Sequence, residues 1–164
     1  MANFSFDVVS TYDKAEMNNA FEQTVREIEN RYDFKGTAAA IEWLGDKTGV
    51  KLIADSKWQI DQVLDVFRKK LAGRDMTSKV LDLTKTINEA NMRAWQDVPF
   101  VDGLNQDRAK EVSKIIRDAH PKAKPSIQGE VVRVVSASKD ELQAVMTTLR
   151  AADVDYPLSF TNYR

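Results

Sequence analysis

VKLIADSKWQIDQVLDVFR, residues 50–68, decides how this chain folds, because it has a partner: VRVVSASKDELQAVMTTLR, residues 132–150. The two align without a gap at an offset of 82, half of the 164 residues. Lys51 falls on Arg133, Ser56 on Ser138, Lys57 on Lys139, Val63 on Val145 and Arg68 on Arg150. Ile60, Leu64 and Phe67 fall on Leu142, Met146 and Leu149, so apolar character is kept. Self-similarity of this kind marks a duplicated structural unit.

The unit is readable in physical terms. Val50, Leu52 and Ala54 alternate with Lys51, Ile53 and Asp55, and Val132 and Val134 alternate with Arg133, which is the period of a strand. Ser56-Lys57-Trp58-Gln59 and Ser138-Lys139-Asp140-Glu141 then read as capping boxes that start helices. Apolar stripes follow at Ile60, Val63, Leu64, Phe67 and Leu71, and at Leu142, Val145, Met146 and Leu149.

Working outward, Met17, Phe21, Val25, Ile28 and Tyr32 mark a helix near 13–32. Ala109, Val112, Ile115, Ile116 and Ala119 mark its counterpart near 106–119. Thr37–Leu44 and Lys122–Gln128 form hairpins with the repeated strands, turning at residues 45–49 and at Gly129-Glu130. Flanking strands are expected at Phe4–Val9, Val80–Leu83, Arg93–Val101 and Leu158–Tyr163. The fold class is therefore α+β, a tandem repeat of two ferredoxin-like βαββαβ domains. The expected domains are 1–84 and 93–164, joined at 85–92. Helices on one face of each sheet leave the other face open to a ligand, a partner or the sister domain.

Composition excludes several classes. With no Cys there is no disulfide, thiol chemistry or Cys-type zinc site, and the count suits a reducing cytoplasm. No apolar run approaches the roughly 20 residues that span a bilayer, and the opening Met1-Ala2-Asn3-Phe4-Ser5-Phe6-Asp7 lacks the build of a leader. Residues 1–82 carry 12 basic and 14 acidic groups and residues 83–164 carry 12 and 11, so neither half is a basic arm for coating DNA. The single His120 reads as a helix-end residue favoured by the dipole. No phosphate loop, nucleophile elbow or dinucleotide fingerprint is present. No cofactor or metal is expected.

The informative polar residues are basic. Lys51 and Arg133 are equivalent in the repeat and have the opposite parity to the valines beside them, so both point to the open sheet face. Lys122 and Lys124 share that parity on the neighbouring strand, and Val131 and Val135 flank Arg133. Such a cluster can contact phosphates beside a surface for bases. The same positions also read as a solvated strand face or as ion pairs to the sister domain. Trp43 and Trp95 read as strand core, and Trp58, aligned with Asp140, as a surface residue.

Several segments resemble the YajQ family of bacterial nucleotide-binding (cyclic di-GMP-binding) proteins: Phe4-Ser5-Phe6-Asp7-Val8-Val9-Ser10, Arg31-Tyr32-Asp33-Phe34-Lys35-Gly36, residues 127–134, residues 140–146, and the C-terminal residues 157–164. The resemblance implies two tandem ferredoxin-like domains with N-terminal strands exchanged between them. It implies a nucleotide-binding protein, with members linked to cyclic di-GMP sensing and to nucleic acid or transcription factors, and no family-wide catalytic residue. The function expected for this chain is that of a non-enzymatic cytoplasmic nucleotide-binding protein, a cyclic di-GMP-type effector that also contacts nucleic acid or a transcription regulator. Basic character is reduced over Arg93–Leu104 relative to the family pattern. The ligand-binding candidates are Lys51, Arg133, Lys122 and Lys124, joined by Arg31, Asp33 and Phe34 and by Asn162 and Arg164. In a plainer reading Asp33 pairs with Arg31 to brace a helix exit. The rival functions are a protein-interaction module that uses the open sheet faces and a nucleotide-processing enzyme.

Overall fold

The structure, a computed structural model, describes residues 3–164. Met1 and Ala2, part of the segment read for a leader, lie outside the described residues. The elements run β1 (Phe4–Val9), α1 (Lys14–Asn30), β2 (Ala40–Leu44), β3 (Gly49–Ala54), α2 (Lys57–Ala72), β4 (Asn88–Ala90), β5 (Arg93–Pro99), α3 (Gln106–Ala119), β6 (Lys124–Gln128), β7 (Val131–Ser136), α4 (Lys139–Ala151) and β8 (Ser159–Thr161). They form two antiparallel four-stranded sheets, ordered β6-β7-β1-β8 and β2-β3-β5-β4. One compact unit comprises the described residues up to Thr11 together with Asp102–Arg164; the other is Tyr12–Val101.

Each sheet has the strand order of a ferredoxin-like domain, and the strand beside the repeated one is exchanged. β1, from the chain's start, pairs with β7 of the second repeat, while β5 pairs with β3 of the first. The local cause is the connection at Asn91-Met92. Both residues have positive φ, 52° and 61°, and they join β4 to β5 as a two-residue hairpin. A turn that tight holds β5 beside β4 in the first repeat's sheet. Residues 88–90, expected within a linker, are thus a strand.

Met92 is 87 % exposed and sits where a primed turn favours glycine. A left-handed non-glycine residue costs about 1–2 kcal/mol, offset in part by the greater entropy that glycine loses on folding. We expect Met92→Gly to raise stability by about 0.5–1 kcal/mol, read as an upward shift of Tm in thermal denaturation.

The repeated strands bury their apolar parity as expected: Val50, Leu52, Val132 and Val134 are fully buried beneath the helices. In the 12–101 unit, Trp43 stacks on Phe21 at 3.9 Å and belongs to the core. Trp95 does not: it has the parity of Ile53 and Lys51, and Lys51 Nζ lies 6.0 Å from its ring centroid on the open face. Trp58 is 71 % exposed. Val80–Leu83 is not a strand. Thr77 caps a 3-10 turn over Ser78–Val80, and only Leu81 makes an isolated bridge, to Phe100.

Ser56 and Ser138 accept from the backbone N–H of Gln59 and Glu141, as their helix starts require. The reciprocal half of the first capping box differs. Gln59 bonds the N–H of Asp55 rather than that of Ser56. His120 caps the end of α3 through its own N–H to the Ile116 carbonyl, and its Nε2 lies 2.7 Å from Thr148 Oγ1 on α4.

Candidate functional site

The open face of the β6-β7-β1-β8 sheet follows from register. Asp7 of β1 stands opposite Arg133 of β7 and Thr161 of β8, and Arg133 stands opposite Ser126 of β6. Directly paired residues share a face. Lys124 pairs with Val135, so it has the same side as Arg133. The strands therefore place Ser5, Asp7, Lys124, Ser126, Val131, Arg133 and Val135 on one surface.

Asp7 is its centre, and no sequence pattern singled it out. It is nearly buried at 4 % exposure. Arg133 donates to its carboxylate from Nε at 2.9 Å and from Nη2 at 3.4 Å, and Asn162 Nδ2 donates at 2.8 Å. Asn162 reaches it because the chain bulges there. The pairing steps from Asp7↔Thr161 to mutual backbone bonds between Ser5 and Arg164, one residue out of step, with Asn162 at φ 57°. Asparagine tolerates that conformation better than most residues. The hydrogen bond from Arg133 is the strongest influence holding the Asp7 carboxyl below its ordinary range. Burial opposes it, and the Asn162 bond and the charges of Arg133 and Arg164 reinforce it.

A carboxylate whose pKa is lowered in the folded state stabilises the fold above its unfolded value. That contribution is lost as pH falls through the folded value. Wild type should therefore be more stable than Asp7→Asn near neutral pH, and the gap should close below pH 3.8, the ordinary value for this group. Urea denaturation of both proteins across that range checks it; a gap that does not change with pH would show the ion pair contributes nothing.

The structure thus gathers three candidates, Arg133, Asn162 and Arg164, around one carboxylate, with Lys124 on the same face. Arg133 is not the bare cation its parity implied, since two of its nitrogens are bonded to Asp7. Lys122 is not on the strand. Pro121 follows the end of α3, the Ala123 N–H closes a turn onto the His120 carbonyl, and β6 starts only at Lys124.

The remaining candidates lie in the other unit. Lys51 is half-buried on its open face, opposite Glu42 and Asp97. Asp97 stands to Lys51 as Asp7 stands to Arg133, an echo of the repeat carried by the two exchanged strands. Arg31 grips Asp33 through Nε at 3.0 Å and Nη2 at 2.7 Å, reaches Glu27 at 3.4 Å, and lies 4.8 Å from the centroid of Phe34. Phe34 is buried. This is the plainer reading of that segment, a brace at the exit of α1. Glu27 also takes Lys70 of α2 at 2.9 Å.

Beside the Asp7 cluster a cleft of about 290 Å³ is lined by Phe4, Ser5, Lys139, Leu142, Gln143, Tyr163 and Arg164. Lys139 Nζ lies 5.0 Å from the centroid of Phe4. Sequence reading missed this cleft because its outermost walls, Phe4 and Arg164, lie 160 residues apart in the chain and meet only through the β1–β8 pairing.

Fold and site together define a class: tandem ferredoxin-like proteins with exchanged strands and a cationic open face. Residues 4–164 match the family described as nucleotide-binding protein YajQ-like, and the chain belongs to that family. It is 42 % identical over 165 residues to a nucleotide-binding protein of Nocardioides, covering all of both chains. It is 40 % identical over 163 residues to one of Nostoc punctiforme, covering 99 % of each, and 41 % identical over 166 residues to one of Streptomyces coelicolor, covering all of both.

Proposed function

We propose that this chain is a non-enzymatic, cytoplasmic nucleotide-binding protein whose ligand is a cyclic dinucleotide of the cyclic di-GMP kind. The observation that carries the reading is the convergence of Arg133, Asn162 and Arg164 on one face with Lys124, in a member of a family whose relatives carry the name nucleotide-binding. Arg164 acts on Asp7 electrostatically without a direct ion pair among the described residues. Arg164 and Lys124 are thus the cations freest to meet phosphates. Arg133 contributes an oriented guanidinium whose charge is largely balanced by Asp7. Lys122 adds charge from the adjoining turn. Arg31 is committed to Asp33 and Glu27, so the reading places the ligand on the sheet that carries Arg133 rather than at Arg31, Asp33 and Phe34 or at Lys51.

Asp7 also supports the non-enzymatic reading. A carboxylate held ionised by an arginine and an amide is a poor proton acceptor. Contacts to nucleic acid or to a transcription regulator would draw on the same cations.

Calorimetric titration with cyclic di-GMP at about 0.05 and 0.2 M salt tests the proposal. Binding should weaken as salt screens the phosphates. Lys124→Gln and Arg164→Gln should each bind about tenfold more weakly, as expected for loss of a charge-assisted hydrogen bond. No heat with any nucleotide would instead favour a protein-interaction module. Turnover of the nucleotide in the presence of magnesium would favour an enzyme.

A further inference from the structure

The cleft beside the Asp7 cluster has features that the open face lacks. Tyr163 is 57 % exposed, yet its ring is held in place. It stacks on the buried Phe6 at 6.1 Å with an interplanar angle of 28°, and its hydroxyl lies 2.9 Å from Met146 Sδ on α4. A ring fixed on one side and open on the other is a stacking platform, and base–aromatic stacking tolerates any base. Two cations line the same cleft. Arg164 follows Tyr163 directly and is tied to Ser5 by backbone bonds of 3.0 and 3.1 Å. Lys139 lies over Phe4 and makes no ion pair among the described residues.

The cleft's 290 Å³ lies at the low end of small-molecule sites, which run about 300–1,000 Å³. It has room for one nucleoside phosphate moiety, not for a whole cyclic dinucleotide. We infer that the cleft takes a single nucleoside phosphate unit, its base on the open side of the Tyr163 ring and its phosphate between Lys139 and Arg164. The inference rests on the nucleotide-binding reading above and deepens it. One half of a cyclic dinucleotide enters the cleft, and the other half runs outward past Arg164 along the open face. A mononucleotide should then compete with the dinucleotide.

The test uses the full chain, with GMP and cyclic di-GMP as probes and calorimetric dissociation constants as the readout. GMP should bind wild type and displace cyclic di-GMP. Tyr163→Leu, which removes the platform, should weaken GMP about tenfold or more. Gln143→Trp should do the same by filling the mouth of the cleft. Gln143 is exposed on α4, so that variant keeps the fold even if Tyr163→Leu does not. Tyr163→Trp keeps a platform and should retain affinity, an outcome that a merely structural role for Tyr163 does not predict. GMP and cyclic di-GMP binding that is unchanged in both Gln143→Trp and Tyr163→Leu would overturn the cleft assignment and leave the broader function standing. Binding of cyclic di-GMP without any competition by GMP would likewise overturn it. A wild type that binds neither probe would overturn both.

Discussion

Gly49→Ala should destabilise the protein by about 1–3 kcal/mol or more, because it forces a methyl group into backbone rather than into a yielding side chain. Gly49 opens β3 and stands opposite Pro99 of β5. A Cβ at Gly49 would lie 2.6 Å from the Val98 carbonyl oxygen and 2.8 Å from the Pro99 Cα. Neither atom can move without moving β5. The backbone at Gly49 is not left-handed, so the demand for glycine is one of space alone. The loss should fall on the docking of the exchanged strand. Denaturant unfolding should report the drop, and hydrogen exchange should quicken first at amides of β5. A variant as stable as wild type would mean that β5 does not approach β3 this closely.

Phe6→Ala should have the larger effect, about 3–5 kcal/mol, as for other fully buried aromatic residues cut to alanine. Phe6 is the buried centre of β1, the strand exchanged into the other repeat. It meets Phe160 edge-on at 5.4 Å and 86°, and Tyr163 in a stacked arrangement. Truncating it removes buried area and two ring contacts at once, each worth about 0.5–1.5 kcal/mol beyond area alone. Tm should fall by roughly 6–20 °C, from about 2–4 °C per kcal/mol in a protein of this size. Because Phe6 supports the Tyr163 ring, the same variant should also loosen the C-terminal segment.

The repeat made β3, α2, β7 and α4 legible, because each is specified by local alternation, a serine cap and an apolar stripe. The exchange of β1 and β5 was not legible in periodicity, since strand pairing is set by residues far apart in sequence; only the family resemblance implied it. The Asn91-Met92 hairpin that enforces it hides behind a methionine in a position that normally announces itself with glycine. The candidate site divides in the same way. Parity alone placed Lys51, Lys124 and Arg133 on open faces. Asp7, which ties Arg133 down, became its neighbour only through the exchange. An aspartate within Phe4-Ser5-Phe6-Asp7-Val8-Val9 is a polar-face residue like any other until the strand beside it is known. The Phe4–Tyr163 cleft depends on that pairing too, and on a one-residue bulge at Asn162 that composition does not announce.

The proposed function requires an anionic nucleotide on the β6-β7-β1-β8 sheet rather than on the sheet that carries Lys51. A backbone amide chemical-shift titration of the full chain with cyclic di-GMP tests it most directly. Saturable shifts should concentrate at Ser5, Lys124, Arg133, Lys139, Tyr163 and Arg164, with the Arg31–Phe34 and Lys51 amides little changed. Shifts confined to Arg31–Phe34 and Lys51, or none anywhere at millimolar nucleotide, would contradict it.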